Sequence, residues 1–360
     1  MDIERKLELI KGPPTEEIIT ENELRQLLET KETPVHYIGF EISGLLHLGT
    51  LVLSGSKIND FIKAGFKATV WLADWHSFIN KKLEGNWEKI KIAARYYEEA
   101  FKFITDSKAK ILLGSDIYHN NDEFWKDLIF VSQKSTLKRT IRCLQIMGRK
   151  DNEALDMAQF YYPAMQVADI RVLGVDIAHA GMDQRKVHML AREVFPKLDW
   201  KPPITLHHHL LPGLAGPVRL GFDKDKKLDQ VISSKMSKSK PWTCIFVHDT
   251  KKQIEDKLKK AWCPERVTDG NPILEMIKFI IFKELKTFKL ERLEKYGGSV
   301  EFDNYQKLED EYRAGEIHPL DLKKSLAEAL DKIIKPIREH FEKPANAKML
   351  DVYKGTKTTR

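Results

Sequence analysis

Two short segments carry residues suited to holding a polyphosphate. The first is Gly39-Phe40-Glu41-Ile42-Ser43-Gly44-Leu45-Leu46-His47-Leu48-Gly49-Thr50, which leaves a β-rich apolar run and opens a helical pattern. Glycines such as Gly39, Gly44 and Gly49 let the backbone approach a ligand closely. A helix start adds unpaired N–H groups and positive dipole. His47 near that end can donate to a phosphoryl oxygen as charge builds, although a histidine alone in a glycine-rich turn is more often structural. The chain has neither a dinucleotide fingerprint nor a Walker loop. The second segment is Lys235-Met236-Ser237-Lys238-Ser239, preceded by Ser233 and Ser234. Lysines three apart among hydroxyls can wrap a polyphosphate; a solvated basic linker is the plain alternative.

A third segment, Phe160-Tyr161-Tyr162-Pro163-Ala164-Met165-Gln166-Val167-Ala168-Asp169-Ile170, suits a small polar ligand. Pro163 fits a first helical position. Tyr162, Gln166 and Asp169 then share one face. Polar groups on a core-facing stripe need partners; a solvent-facing stripe needs none, and spacing alone leaves both open. His207-His208-His209 lacks a Cys or carboxylate at ligand spacing, so a structural loop is expected there and no metal site. Trp71, Trp75 and Trp87, near Asp74 and His76, read as core.

Strand candidates at 35–40, 68–73, 109–113, 175–178 and 203–206 alternate with helical patterns. That order implies a parallel sheet with helices on both faces. Residues 1–31 read as helical, with Thr20 and Glu23 at capping-box spacing. After Ser239 the texture turns helical: 251–262, 272–283, 305–314 and 320–341, then a loose Lys-rich tail from Pro344. The net charge of +7 fits a polyanionic partner but is weak evidence alone. Three scattered cysteines give no disulfide framework. No apolar run spans a bilayer and the start is no signal peptide, so a cytoplasmic protein without membrane association is expected.

The two phosphate-suited segments resemble the HIGH and KMSKS signatures of class I aminoacyl-tRNA synthetases. The resemblance implies an α/β fold: a Rossmann-like parallel-sheet catalytic domain with a helical connecting insertion, then an α-helical anticodon-binding domain. The boundaries expected are an N-terminal helical segment at 1–33, the catalytic domain at 34–240 with its insertion at about 118–160, the anticodon-binding domain at 241–343 and a basic tail at 344–360. It implies catalysis by His47, Lys235 and Lys238. ATP, with Mg2+, would be bound by Gly39, Glu41, Gly44, His47, Gly49, Thr50, Lys235, Met236, Ser237, Lys238 and Ser239. Thr50 replaces the signature's second histidine, which leaves its role open.

Tyr37-Ile38-Gly39-Phe40-Glu41, Tyr-Pro-x-Met-Gln-x-x-Asp at 162–169 and Gly181-Met182-Asp183-Gln184-Arg185-Lys186-Val187-His188-Met189-Leu190-Ala191-Arg192 resemble tyrosyl-tRNA synthetases of the compact archaeal and eukaryotic type. Carried over, Tyr37 and Asp169 would meet the phenol of L-tyrosine, and Tyr162, Gln166 and Gln184 its ammonium end. A buried acid left unpaired by phenylalanine discriminates without an editing domain, and tyrosine-specific synthetases are the standard example of that principle.

The basic residues Lys134, Lys138 and Arg142, four apart, form an expected phosphate-facing helix stripe. The resemblance places a homodimer contact and the tRNA acceptor end on that insertion, with Arg142 touching tRNA(Tyr). It assigns anticodon reading to Tyr296, His318 and Asp321, although Asp321 is equally a helix cap. The rivals are a tryptophanyl-tRNA synthetase, a small nucleotidyltransferase and a non-catalytic RNA-binding paralogue. The charged stretch between Leu214 and Ser233 has no assigned role beyond a longer hinge.

Overall fold

The computed structural model describes residues 1–148, 155–223 and 225–354. Lys224 of the charged stretch, residues 149–154 of the expected insertion and residues 355–360 of the tail lie outside them. The chain divides into two compact units: Met1–Gly44, Lys57–His209 and the segment from Met349 form one, Leu45–Ser56 and Leu210–Lys348 the other.

The first unit is built on a six-stranded sheet. Its strands are β1 (Thr15–Ile19), β2 (Val35–Phe40), β3 (Lys67–Leu72), β4 (Lys110–Leu113), β5 (Ile177–Gly181) and β6 (Ile204–His208). They lie in the order β1-β6-β5-β2-β3-β4, all neighbours parallel except β1 against β6. Successive strand residues face opposite sides, so Ile177 joins a core with the helices Ile3–Lys11 and Glu21–Thr30 while Ala178 joins one with Tyr162–Val172 and Arg185–Val194. Burial on both faces explains why β5 and β6 bury every residue. The order reverses between β2 and β5. In doubly wound sheets the crevice outside the carboxyl ends at such a reversal takes the ligand. Here β2 runs out into Gly39–Gly44 and β5 into Gly181–Gln184.

The first 31 residues are not wholly helical as the leucine spacing predicts. β1 lies between the two helices, after Gly12-Pro13-Pro14 interrupts the first, and draws its ladder from β6. The expected capping box does form: Glu23 N donates to Thr20 Oγ1 at 3.2 Å and Thr20 N to Glu23 Oε2 at 3.0 Å.

The second unit holds the helices Lys251–Lys259, Pro272–Met276, Tyr305–Ala314 and Pro319–Glu342. Pro272–Met276 runs through a π-turn at Ile277–Ile281 into Phe282–Glu284. The helical reading omits a small hairpin, β7 (Phe288–Leu290) with β8 (Val300–Phe302), because three-residue strands show no alternation. The tail is ordered further than expected. It turns through Pro344–Ala347, and within the first unit Tyr353 packs edge-on against Tyr96 at 5.5 Å.

Candidate active site

In the first unit, Tyr37, Tyr162, Gln166 and Asp169 are all buried, so the stripe of the Tyr162–Val172 helix faces the core rather than solvent. Asp169 is fully buried, and Tyr118 donates to its Oδ1 at 2.6 Å. Its Oδ2 has no hydrogen-bond partner among the described residues. Burial drives the Asp169 carboxyl well above the usual carboxylate range, against the opposing pull of the Tyr118 hydroxyl. His76 Nε2 lies 3.6 Å from Oδ2, but burial lowers that imidazole to about 3. With that imidazole uncharged near pH 7, the contact is not an ion pair. Tyr37, on β2, places its hydroxyl where a side chain on Gly39 would stand: a Cβ there would meet Tyr37 Oη at 2.7 Å. Gly39 is thus explained by close approach, not by turn geometry.

The opposite end of this cluster is amide-rich. Gln166 Nε2 approaches Gln184 Oε1 at 3.5 Å, and Gln184 Nε2 donates to Ile146 O at 3.0 Å. Tyr162 donates to Glu41 Oε1 at 2.9 Å; Asn80 donates to the same oxygen and Lys82 Nζ lies 3.3 Å from Oε2. The structure therefore places Glu41, expected among the ATP ligands, against Tyr162. Gly44 accepts from Tyr97 Oη at 2.9 Å, and Ser77 Oγ takes Ile42 N at 2.7 Å, which holds the turn after β2. Tyr118 is the residue that the sequence reading missed. It sits on Gly114–Tyr118, a five-residue turn with no periodicity to mark it.

In the second unit, the histidine turn and the lysine loop come together. His47 bridges Phe246 antiparallel, Leu48 N donates to Ile245 O at 3.1 Å and Val247 N to Leu46 O at 3.1 Å. Lys235 bridges Pro212, and Met236 N donates to Leu211 O at 2.7 Å. A Cβ on Gly49 would meet the His47 ring at 3.3 Å. Met236 is buried, whereas Lys235, Ser237, Lys238 and Ser239 are half-buried, with Ser237 and Ser239 hydroxyls 3.0 Å apart. Burial, then Lys238, then Lys235 hold the His47 imidazole well below its usual pKa, hence neutral. Thr50 engages both ring nitrogens: its N–H points at Nδ1 (3.4 Å) and its Oγ1 lies 2.8 Å from Nε2. With Nδ1 accepting, the remaining proton sits on Nε2 and is donated to Thr50.

The charged stretch ahead of the loop is no open hinge. Asp229 accepts from Gly221 N (3.2 Å), Phe222 N (2.6 Å), Asp223 N (3.4 Å) and Ser233 Oγ (3.1 Å). Ser233 Oγ takes Leu220 N at 3.0 Å and Ser234 Oγ takes Val218 N at 2.8 Å. Residues 218–223 are thus fastened to the helix Lys226–Ser234 that leads into Lys235.

The basic stripe is broken. One helix ends at Gln133 and another starts at Leu137 with Thr136 as cap, so Lys134, Lys138 and Arg142 do not share a continuous face. Arg142 instead joins Arg139, Arg185, Lys186 and Met189 around a cavity of about 300 Å³. Tyr296 is 60% exposed on a short turn. The cap of the Pro319–Glu342 helix is His318, whose Nδ1 accepts from Leu320 N at 3.2 Å; Asp321 lies in the first turn.

His207 and His208 lie in β6 rather than a loop. His207 Nδ1 meets Glu17 Oε2 at 2.7 Å and its Nε2 meets His188 Nδ1 at 3.0 Å. His208 Nδ1 meets His179 Nε2 at 2.8 Å, and His179 Nδ1 meets His36 Nε2 at 3.0 Å. His209 pairs with Glu16. Among the described residues no group of three or more His, Cys, Asp or Glu is placed to hold a metal ion.

The chain matches, over residues 29–335, the model of class I tRNA synthetases for tryptophan and tyrosine. It is 46% identical to the tyrosine–tRNA ligase of Thermococcus kodakarensis, with all of both chains covered. Its fold superposes on the tyrosyl-tRNA synthetase of Pyrococcus horikoshii complexed with L-tyrosine with a TM-score of 0.92 at 41% identity, covering 99% of this chain and 100% of that one. The Aeropyrum pernix tyrosyl-tRNA synthetase superposes at 0.85 and 35% identity, over 99% and 100% of the two chains.

Proposed function

From the premise that this chain belongs to the class I tRNA synthetases for tryptophan and tyrosine, we propose that it activates L-tyrosine with ATP and transfers the tyrosyl group to tRNA(Tyr). The observation that carries the choice of tyrosine is the buried Asp169 with one oxygen unpartnered among aromatic walls. A phenol O–H satisfies that oxygen, and a phenylalanine ring leaves it bare. An indole N–H belongs to a wider side chain and suits the Tyr37–Tyr118–Asp169 cluster less well.

In the reaction, the tyrosine carboxylate attacks the α-phosphorus of ATP, the bond to the β-phosphate breaks, and pyrophosphate leaves. A 3′-terminal ribose hydroxyl of the tRNA then takes the tyrosyl group and releases AMP. Tyr37 and Asp169 receive the phenol; Tyr162, Gln166 and Gln184, with Glu41 behind Tyr162, receive the ammonium. Lys235 and Lys238 counter the phosphate charge, and Ser237, Ser239 and the Met236 backbone shape the loop around it. Neutral His47 donates to Thr50, which leaves the Thr50 hydroxyl proton for a phosphoryl oxygen. Thr50 thus supplies the donor that a second imidazole would supply. Gly39, Gly44 and Gly49 keep the approach open. Magnesium enters with ATP as part of the substrate.

Arg142, with Arg139, Arg185 and Lys186, is assigned to the acceptor-end phosphates. Tyr296, His318 and Asp321 are assigned to the anticodon, Tyr296 by stacking. The helix Asp122–Gln133 exposes Trp125, Ile129 and Phe130, and Leu137 lies just beyond it; this apolar face is assigned to a second copy of the chain. No described helix is long and apolar enough to cross a membrane, and a cytoplasmic site of action fits the tRNA substrate.

Amino-acid-dependent ATP–pyrophosphate exchange across all twenty amino acids tests the reading. Exchange with tyrosine alone is expected. Exchange with tryptophan instead would sink the pocket assignment, and none with any amino acid would favour an RNA-binding protein. Light scattering on the purified chain tests the dimer.

A further inference from the structure

Within the reading of the pocket as a phenol site, we infer that Tyr118 is a positioning residue for tyrosine specificity: it occupies one Asp169 oxygen so that the other faces the substrate hydroxyl. The inference begins with a relay of contacts. Asp74, fully buried just after β3, accepts from Ser115 N at 3.0 Å and so fixes the start of the Gly114–Tyr118 turn that follows β4. Gly114 is required by that packing: a Cβ there would meet Asp74 Oδ1 at 2.8 Å and the Tyr118 ring at 3.4 Å. The Tyr118 ring is clamped further by stacking on Phe124 at 4.1 Å and by the edge of Trp71 at 5.8 Å. With its ring fixed on both sides, the Tyr118 hydroxyl donates to Asp169 Oδ1 at 2.6 Å.

The consequence falls on Asp169. A carboxylate with two equivalent free oxygens can swing and presents no single direction to a ligand. Held at Oδ1, it leaves Oδ2 buried and without a hydrogen bond of good geometry among the described residues; the buried Trp71 indole, its Nε1 likewise unpartnered, also acts on the carboxyl and helps to hold it. His76, with both ring nitrogens also unpartnered among the described residues, stands 3.6 Å from that oxygen. The pocket floor therefore has one vacant acceptor in a fixed direction. A phenol fills it and a phenyl ring cannot, which makes the penalty against phenylalanine depend on Tyr118 as well as on Asp169.

The test is tyrosine- and phenylalanine-dependent ATP–pyrophosphate exchange by the full chain and by Tyr118→Phe. The variant should lower the tyrosine-to-phenylalanine ratio of kcat/KM about tenfold, the size expected of one charge-assisted hydrogen bond. The change should appear in KM for tyrosine, with KM for ATP unchanged, a split that a merely structural loss would not give. A ratio within twofold of the wild type would overturn the inference. So would tighter use of tyrosine by Tyr118→Phe, since Tyr118 would then be competing with the substrate for the carboxylate. Should Tyr118→Phe not fold, Gly114→Ala presses on Asp74 Oδ1, which fixes the start of the turn that carries Tyr118, without touching Asp169; it should lower the same ratio, and an unchanged ratio overturns the inference equally. Absence of tyrosine-dependent exchange in the wild type would count against the functional reading itself, and not against Tyr118 alone.

Discussion

The proposed tyrosine pocket and the lysine loop solve opposite problems. The pocket is made of side chains from a sheet and its helices, buried or half-buried and each held by another group: Tyr118 on Asp169, Tyr162 on Glu41, Gln184 on a backbone carbonyl. The lysine loop draws on backbone contacts, such as Met236 N on Leu211 O, and its lysines and serines stay half-buried. Selecting one phenol among similar rings needs an acceptor whose direction is fixed before the ligand arrives, because unpaired polar groups are costly only where water is excluded. Gripping a triphosphate needs charge with reach, which long mobile side chains supply.

The sharpest way to break the comparison is Asp169→Ala. It removes the fixed acceptor and leaves Tyr118 Oη buried without its partner, so tyrosine kcat/KM should fall by more than about 3 kcal/mol, over a hundredfold. A fall of less than tenfold in exchange assays would mean that the acceptor lies elsewhere. Next is Lys238→Ala, expected to slow tyrosyl-adenylate formation about a hundredfold, as for loss of one transition-state donor. Tyrosine affinity by equilibrium dialysis should stay within twofold; weaker tyrosine binding would erase the division of labour.

The third prediction separates the regions by pH. His36 is lowered to about 3 and His208 to about 4 by burial, and His179 and His188 are lowered well below 6.5. Such groups take up protons first in the unfolded chain, so their contribution is complete above about pH 6.5 and is lost as pH falls toward 4. The His208 change alone corresponds to roughly 3 kcal/mol. Urea midpoints between pH 7 and 4 should drop well before ordinary carboxylates titrate, and flat midpoints down to pH 5 would contradict the neutral imidazole chain. Glu17, lowered to about 2 by its hydrogen bond from His207, should add its own loss only below about pH 4.5.

Asp229→Ala strips an acceptor from three backbone N–H groups, a loss of about 2 kcal/mol in local stability. Protease cleavage should become faster at residues 218–235 while tyrosine affinity stays as in the parent; uniform destabilisation would deny the clamp. Smallest is Thr20→Ala, about 1 kcal/mol from loss of the capping box, seen in the melting temperature with no effect on exchange.

By itself the sequence determined the α/β class, the helical second half and most strands, because apolar periodicity survives without neighbours. It also determined that Tyr162, Gln166 and Asp169 share a helix face, since 3.6 residues per turn is a local rule. It did not determine which way that face points. β1, with two glutamates in five residues, draws its ladder from β6, and His207 and His208 are strand residues because β1 and β5 flank them. Tyr118 and Asp169 are 51 positions apart and nothing local links them. Thr50 looked like a lost imidazole until its hydroxyl was found 2.8 Å from His47. Local spacing fixes which side chains travel together along one element; which of them meet across elements, and which polar atom is left vacant, is decided by packing alone.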